Sequence, residues 1–195
     1  GELGFKSLTP IQEKSLPHIL EGKDVIAQAK TGSGKTAAFG LGLLNEIDVK
    51  NTRPQALVLC PTRELAEQVA KEIRNLARML SNIKVLTICG GTSEFHQERS
   101  LAHGAHIVVG TPGRVLRLLK KKTLVIDRVE RFVLDEADRM LDMGFHDDIT
   151  RISTYLTRQR QTLLFSATYP EEIQDMSESL QRDAVDIRVD VDHTP

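Results

Sequence analysis

Cysteine is scarce in this sequence, and tryptophan is missing. The two cysteines, Cys60 and Cys89, sit inside apolar runs without metal-ligand spacing, so they read as reduced core thiols, which fits a cytoplasmic protein. Long hydrophobic runs are absent too. None approaches the roughly 18 residues of a membrane span, so no membrane partner is expected. The start, Gly1-Glu2-Leu3-Gly4, has neither a basic region nor an apolar core and predicts no secretory leader. Neither sign of charge dominates: 26 basic side chains face 27 acidic ones, a net charge of −1. That balance neither demands nor forbids a nucleic-acid partner. What is present is apolar mass. With 40% hydrophobic residues over 195 positions, the chain is no disordered tail and is long enough for one domain with its own core.

Short β-branched runs alternate with longer helical patterns. The strand-like runs are 25–27, 56–60, 85–88, 107–109, 132–134, 162–165 and 185–189. Most are continuously apolar, as strands covered on both faces are. Only 185–189 alternates, which suits an edge. The clearest helix places Leu65, Val69, Ile73, Leu76 and Leu80 on one face. Strand–helix alternation predicts an α/β fold, with a mostly parallel sheet flanked by helices on both faces. Such sheets carry ligands at the carboxyl ends of their strands, so the chemistry should follow the apolar runs.

Directly after the first run comes Ala29-Lys30-Thr31-Gly32-Ser33-Gly34-Lys35-Thr36, a P-loop pattern except that Ala29 replaces its first Gly. Gly32 and Gly34 allow a turn whose N–H groups make an anion nest at a helix N-terminus. Lys35 would reach the β- and γ-phosphates, and the Thr36 hydroxyl would ligate Mg²⁺. A P-loop needs an acidic partner. The run 132–134 ends in Asp135-Glu136-Ala137-Asp138; Asp135 would hold Mg²⁺ through its water shell, and Glu136 would orient and deprotonate the attacking water. Alone, this tetrapeptide reads equally well as an acidic helix cap.

Asp-Glu-Ala-Asp is the signature of the DEAD-box RNA helicases, and nearly the whole chain resembles their first RecA-like domain, most like the bacterial DbpA-like branch. Gly4-Phe5 and Thr9-Pro10-Ile11-Gln12 resemble the Q motif, near 4–12, whose Gln reads the adenine edge in the family. A carboxamide, with donor and acceptor side by side, can do so. Phe5 and Gln12 are thereby implied in ATP binding. Pro61-Thr62-Arg63-Glu64-Leu65, Gly90-Gly91 and Thr111-Pro112-Gly113-Arg114 resemble motif Ia, the glycine doublet and motif Ib. The resemblance implies that Thr62, Arg63, Gly91, Thr111, Gly113 and Arg114 hold the RNA sugar–phosphate backbone. Taken singly, Thr62 and Thr111 read as helix caps, and the arginines as surface ion-pair residues. Ser166-Ala167-Thr168 resembles motif III, whose hydroxyls bond the DEAD segment, with Asp138 as the expected partner, linking ATP state to the RNA site.

The resemblance implies an ATP-dependent RNA helicase using ATP and Mg²⁺, with single-stranded RNA as partner and ribosomal RNA or ribosome precursors as candidate substrates. It implies a second RecA-like domain as well, since no Arg-Gly-x-Asp or His-Arg-x-Gly-Arg segment occurs here. Other readings are a P-loop ATPase acting on DNA or protein, and a non-catalytic RNA-binding scaffold. Thr-Pro-Gly-Arg and Ser-Ala-Thr speak against the first, and intact Lys35, Asp135 and Glu136 against the second.

Overall fold

In a computed structural model, residues 7–80 and 82–189 are described. Among the described residues seven strands form one sheet: β1 (Val25–Gln28), β2 (Ala56–Leu59), β3 (Val85–Ile88), β4 (Ile107–Gly110), β5 (Arg131–Leu134), β6 (Gln161–Ser166) and β7 (Val185–Arg188). Their order is β3-β4-β2-β5-β6-β1-β7, and every pairing is parallel. The helices are α1 (Pro10–Leu20), α2 (Lys35–Asn45), α3 (Arg63–Leu76), α4 (Glu94–His103), α5 (Pro112–Lys120), α6 (Ala137–Asp142), α7 (His146–Ser153) and α8 (Glu171–Leu180). None is long and apolar enough to cross a membrane.

Side chains alternate across each strand, so the sheet feeds two cores. Val25, Ala27 and Val58 pack with Ile11, Phe39 and Ile73 from α1, α2 and α3. Ile26, Leu57 and Phe132 pack with Leu118, Ile149 and Ile173 from α5, α7 and α8. Burial on both faces is why the central strands read as continuous apolar runs. The alternating strand β7 lies at the sheet's edge. Cys60 and Cys89 are buried and unpaired with one another; burial lifts the Cys60 thiol well above its ordinary value and Cys89 to about 11, so neither is a reactive thiolate.

One expectation needs correction. The apolar stripe of α3 stops at Leu76, because Ala77–Met79 tighten into a 3₁₀ turn. Each residue there advances about 120° rather than 100°, and Leu80 is exposed. His106 is buried at the entry of β4. Its Nδ1 accepts from the Lys84 N–H and its Nε2 lies 2.9 Å from the Val49 carbonyl. A neutral ring protonated at Nε2 satisfies both.

The strand order sets the position of the site. Strand β6 lies between β1 and β5, so the loops leaving β1 and β5 flank the exit of β6. The ladder runs on past the strand ends, with Ala29 N–H bonded to the Ser166 carbonyl and Asp135 N–H to that of Leu59, both at 2.9 Å. Further along the rim, Cys60 N–H bonds to the Gly110 carbonyl and Thr111 N–H to that of Ile88. A side chain at Gly110 would put a Cβ 2.5 Å from the Ile88 carbonyl and 2.6 Å from Val115; only glycine lets these loops pack side by side.

Candidate active site and nucleic-acid interface

The P-loop wraps from β1 into α2. Gly34 caps α2 at φ 87°, ψ 12°, and a Cβ there would lie 2.6 Å from Gln12 Nε2. Glycine is therefore required by conformation and by space. The first helical residue, Lys35, is buried and sends Nζ to 2.9 Å from Asp135 Oδ1 and 4.0 Å from Glu136 Oε2. Beyond this ion pair neither Lys35 Nζ nor Asp135 Oδ1 has a hydrogen-bond partner among the described residues, and Ser33 Oγ has none either. Buried polar groups are seldom left so. Unspent donors and acceptors facing one loop are what a phosphate and a hydrated cation would use.

Burial pushes the Asp135 carboxyl above the ordinary carboxylate value, and the Lys35 ammonium opposes that rise. Glu136, also buried, takes up left-handed backbone at φ 53°, ψ 52°, a conformation costly for a residue with a side chain. Its Oε1 accepts at 3.4 Å from Thr31 Oγ1 and from Arg139 Nη1. Lys35, Thr36, Asp135 and Glu136 line a hollow of about 320 Å³ beside Thr31 and Gly32. Across the loop, Ala29, Lys30, Gly32 and Ser33 line a second hollow of about 340 Å³, walled by Pro10 and Ile11.

Gln12 is buried on α1, next in sequence to Ile11. Its Oε1 accepts from Thr9 N–H and its Nε2 donates to the Gly34 carbonyl, both at 3.0 Å. The first bond belongs to the capping box of α1. One N–H and one lone pair of the carboxamide remain. Phe5 lies outside the described residues.

The rim residues gather into one cluster. Thr62 caps α3, accepting from Leu65 N–H at 3.2 Å. Arg63 donates to the Gly91 carbonyl at 3.3 Å and pairs with Glu64. Thr111 starts α5 without capping it; its hydroxyl accepts from Gly90 N–H at 3.3 Å. Gly113 is exposed on the first turn of α5. Arg114 turns inward, donating to the Thr92 carbonyl at 3.0 Å and Gln97 Oε1 at 2.9 Å. Next to it, Glu94 binds Arg117 and Lys121, and the Arg117 contact first of all holds its carboxyl down at about 2.

Thr168 meets Asp138 through both its N–H (3.2 Å) and its hydroxyl (2.9 Å). Ser166 does not. Its buried hydroxyl donates to the Thr168 carbonyl at 2.6 Å, so it shapes the loop that carries Thr168 instead of touching the acidic segment.

Two residues were not singled out from the sequence. Glu72 on α3 lines the hollow with Thr36; burial raises its carboxyl, and a hydrogen bond to the Thr36 hydroxyl pulls it down. Gln97 on α4 is buried four residues before the inward-packed Leu101. No periodicity marked it, since α4 carries no apolar stripe and Phe95 on it is exposed.

Comparison with known proteins gives a consistent answer. The DEAD/DEAH box helicase family model matches residues 9–176. The chain is 58% identical over 190 residues to the ATP-dependent RNA helicase DbpA of Escherichia coli, covering 97% of this chain and 42% of that protein. It is 50% identical to the ATP-dependent RNA helicase CshA of Listeria monocytogenes, covering 97% of this chain and 36% of that one. The chain thus spans less than half the length of these relatives. Its fold superimposes on a DEAD box protein from the hyperthermophile Methanococcus jannaschii with a TM-score of 0.92 at 42% identity, over 97% of this chain and 52% of that one. A buried Lys35–Asp135 pair on a P-loop, inside a parallel sheet with these relatives, places the chain in the DEAD/DEAH box helicase family.

Proposed function

We propose that this chain is the nucleotide-binding half of an ATP-dependent RNA helicase. It binds ATP with Mg²⁺, holds single-stranded RNA by its backbone, and works with a second RecA-like domain to couple hydrolysis to local duplex opening. The observation that carries this reading is the Lys35–Asp135 ion pair, buried against the P-loop with no other polar partner for Lys35 Nζ or Asp135 Oδ1 among the described residues. Lys35 would grip the β- and γ-phosphates while the loop's N–H groups cradle them. Thr36 and Asp135 would hold Mg²⁺, partly through water, and the ion would neutralise charge on the phosphates. Glu136, kept in place by Thr31 and Arg139, would take the proton from the attacking water.

The hollow walled by Pro10 and Ile11 suits a flat apolar base, and the remaining N–H and lone pair of Gln12 match adenine N7 and N6. The isolated domain is expected to bind ADP at least tenfold tighter than GDP, by about one well-placed hydrogen-bond pair. Calorimetric titration of both nucleotides checks this, and equal affinities would remove Gln12 from base recognition.

For RNA, the rim supplies hydroxyls, main-chain N–H groups and guanidinium charge, which suit phosphate and ribose but do not read bases. The motif III contact of Thr168 with Asp138 would carry the state of the ATP site to that rim. Ribosomal RNA or a ribosome precursor is the substrate class implied by resemblance to the DbpA-like branch, in a cytoplasmic setting. The test is fluorescence anisotropy on the full-length helicase with a non-hydrolysable ATP analogue. Unrelated single strands should bind within about threefold of one another and weaken together as salt rises. Strong preference for one strand would overturn the backbone reading.

A further inference from the structure

The carboxamide of Gln97 joins two rim segments that the chain itself leaves separate. Its Nε2 donates to the Cys89 carbonyl at 3.0 Å and to Thr92 Oγ1, and its Oε1 accepts from Arg114 Nη1 at 2.9 Å. Around it, Thr92 Oγ1 donates to the Cys89 carbonyl at 2.8 Å, and Arg114 donates to that of Thr92 at 3.0 Å. Between these anchor points lie Gly90 and Gly91, the latter at φ 80°, the most entropically free backbone on the rim. We propose that Gln97 is a positioning residue for the RNA grip: it fixes the Gly90–Thr92 loop against the start of α5, so that the loop's main-chain groups are set for a sugar–phosphate strand. This rests on the backbone-grip reading above.

The site asks for this side chain. Two donors must point toward a carbonyl and a hydroxyl while one acceptor faces a guanidinium, and only an uncharged carboxamide of this length offers all three. Glutamate would set a carboxylate against the Cys89 carbonyl. The outer bond between α4 and α5 does not depend on Gln97. Glu94 there holds Arg117 and Lys121, and Lys121 also meets Glu98 at 2.8 Å. The helices should therefore stay docked when the carboxamide is lost, with the glycine loop loosened and still held by Thr111 at the Gly90 N–H and by Arg63 at the Gly91 carbonyl. Gln97 carries no charge, so its loss removes order from the grip without removing a phosphate neutralisation.

The experiment uses the full-length helicase with Gln97→Met, which keeps the volume and removes the hydrogen bonds. Anisotropy with unrelated single-stranded RNAs and a non-hydrolysable ATP analogue is read across a salt series, with ADP affinity measured without RNA. RNA affinity should fall about tenfold, the loss of about two net hydrogen bonds. The log–log salt slope should not change, and neither should ADP affinity. RNA binding within twofold of wild type overturns the proposal. So does a slope lower by about one unit, because the effect would then run through displaced arginine charge, and so does a parallel fall in ADP affinity. If Gln97→Met does not fold, Thr92→Val decides: it removes one leg of the same network at constant volume. An RNA affinity about threefold lower with ADP binding kept supports the proposal, and wild-type behaviour sinks it. If the wild-type protein binds no RNA here, the backbone-grip reading itself falls, an outcome distinct from failure of the Gln97 variant alone.

Discussion

Glu136→Gln in the full-length helicase is expected to lower RNA-stimulated ATP turnover by about 10²–10⁴-fold, the usual contribution of a positioned general base, while ATP binding persists. The side chain is buried and already oriented: Thr31 and Arg139 each reach Oε1 at 3.4 Å, and Lys35 stands 4.0 Å from Oε2. A carboxamide keeps the length and can still accept from Thr31. It cannot accept the proton of the attacking water. The left-handed backbone at φ 53° is tolerated by Gln about as well as by Glu, so no large change in folding should confuse the result. Phosphate release at saturating RNA, set beside binding of a fluorescent ATP analogue, separates the two effects. Turnover near the wild-type rate would assign the base to some other group.

How much of this was legible beforehand depends on where each signal lies along the chain. Strands buried on both faces announce themselves as apolar runs, since neither face needs polar side chains; Leu57, Val58 and Leu59 are all fully buried. The edge position of β7 was legible for the converse reason, its alternation of exposed and buried residues. Leu80 was misplaced because an apolar repeat does not report the tightening of the last turn into 3₁₀ geometry. The P-loop could be read locally, as its Gly-Lys-Thr ending fixes both conformation and chemistry.

Contacts between loops were harder to read. Arg114 was legible as a cation at the rim, but its inward turn depends on Gln97 and Thr92, which come from another strand–helix connection. Thr62 has the hydroxyl expected at the rim and uses it on its own helix, the competing cap reading that its position before α3 always allowed. Gln12 was expected to face a base. One of its hydrogen-bonding positions closes the capping box of α1, and another ties α1 to the P-loop across 22 residues of sequence. Ser166 and Thr168 differ by two residues, and only one of them reaches Asp138. At a strand exit the direction of a side chain is set by the loop, and no periodicity records it.

The largest effect on stability is expected at Lys35. Lys35→Met should destabilise the domain by about 3–5 kcal/mol, the usual result of removing one partner from a buried ion pair, because Asp135 is 2% exposed and would be left facing Glu136 without a cation. Burial already pushes the Asp135 carboxyl up, and Lys35 is the chief influence against it. The pair itself adds little net stability, since desolvating both charges offsets most of their attraction. Removing both charges should therefore be far milder than removing one. Lys35→Met combined with Asp135→Asn should recover most of the loss, a coupling that a double-mutant cycle by urea denaturation measures directly. Nucleotide binding should show no such recovery. The single and the double variant both lack the ammonium that would meet the β- and γ-phosphates, a charge-assisted contact of about 1.5–3 kcal/mol, so ADP affinity should fall about 10- to 150-fold in each. If stability returned in the double variant and nucleotide affinity returned with it, Lys35 would be a structural cation only. If the single variant were as stable as wild type, the 2.9 Å pair would not be a buried, coupled contact.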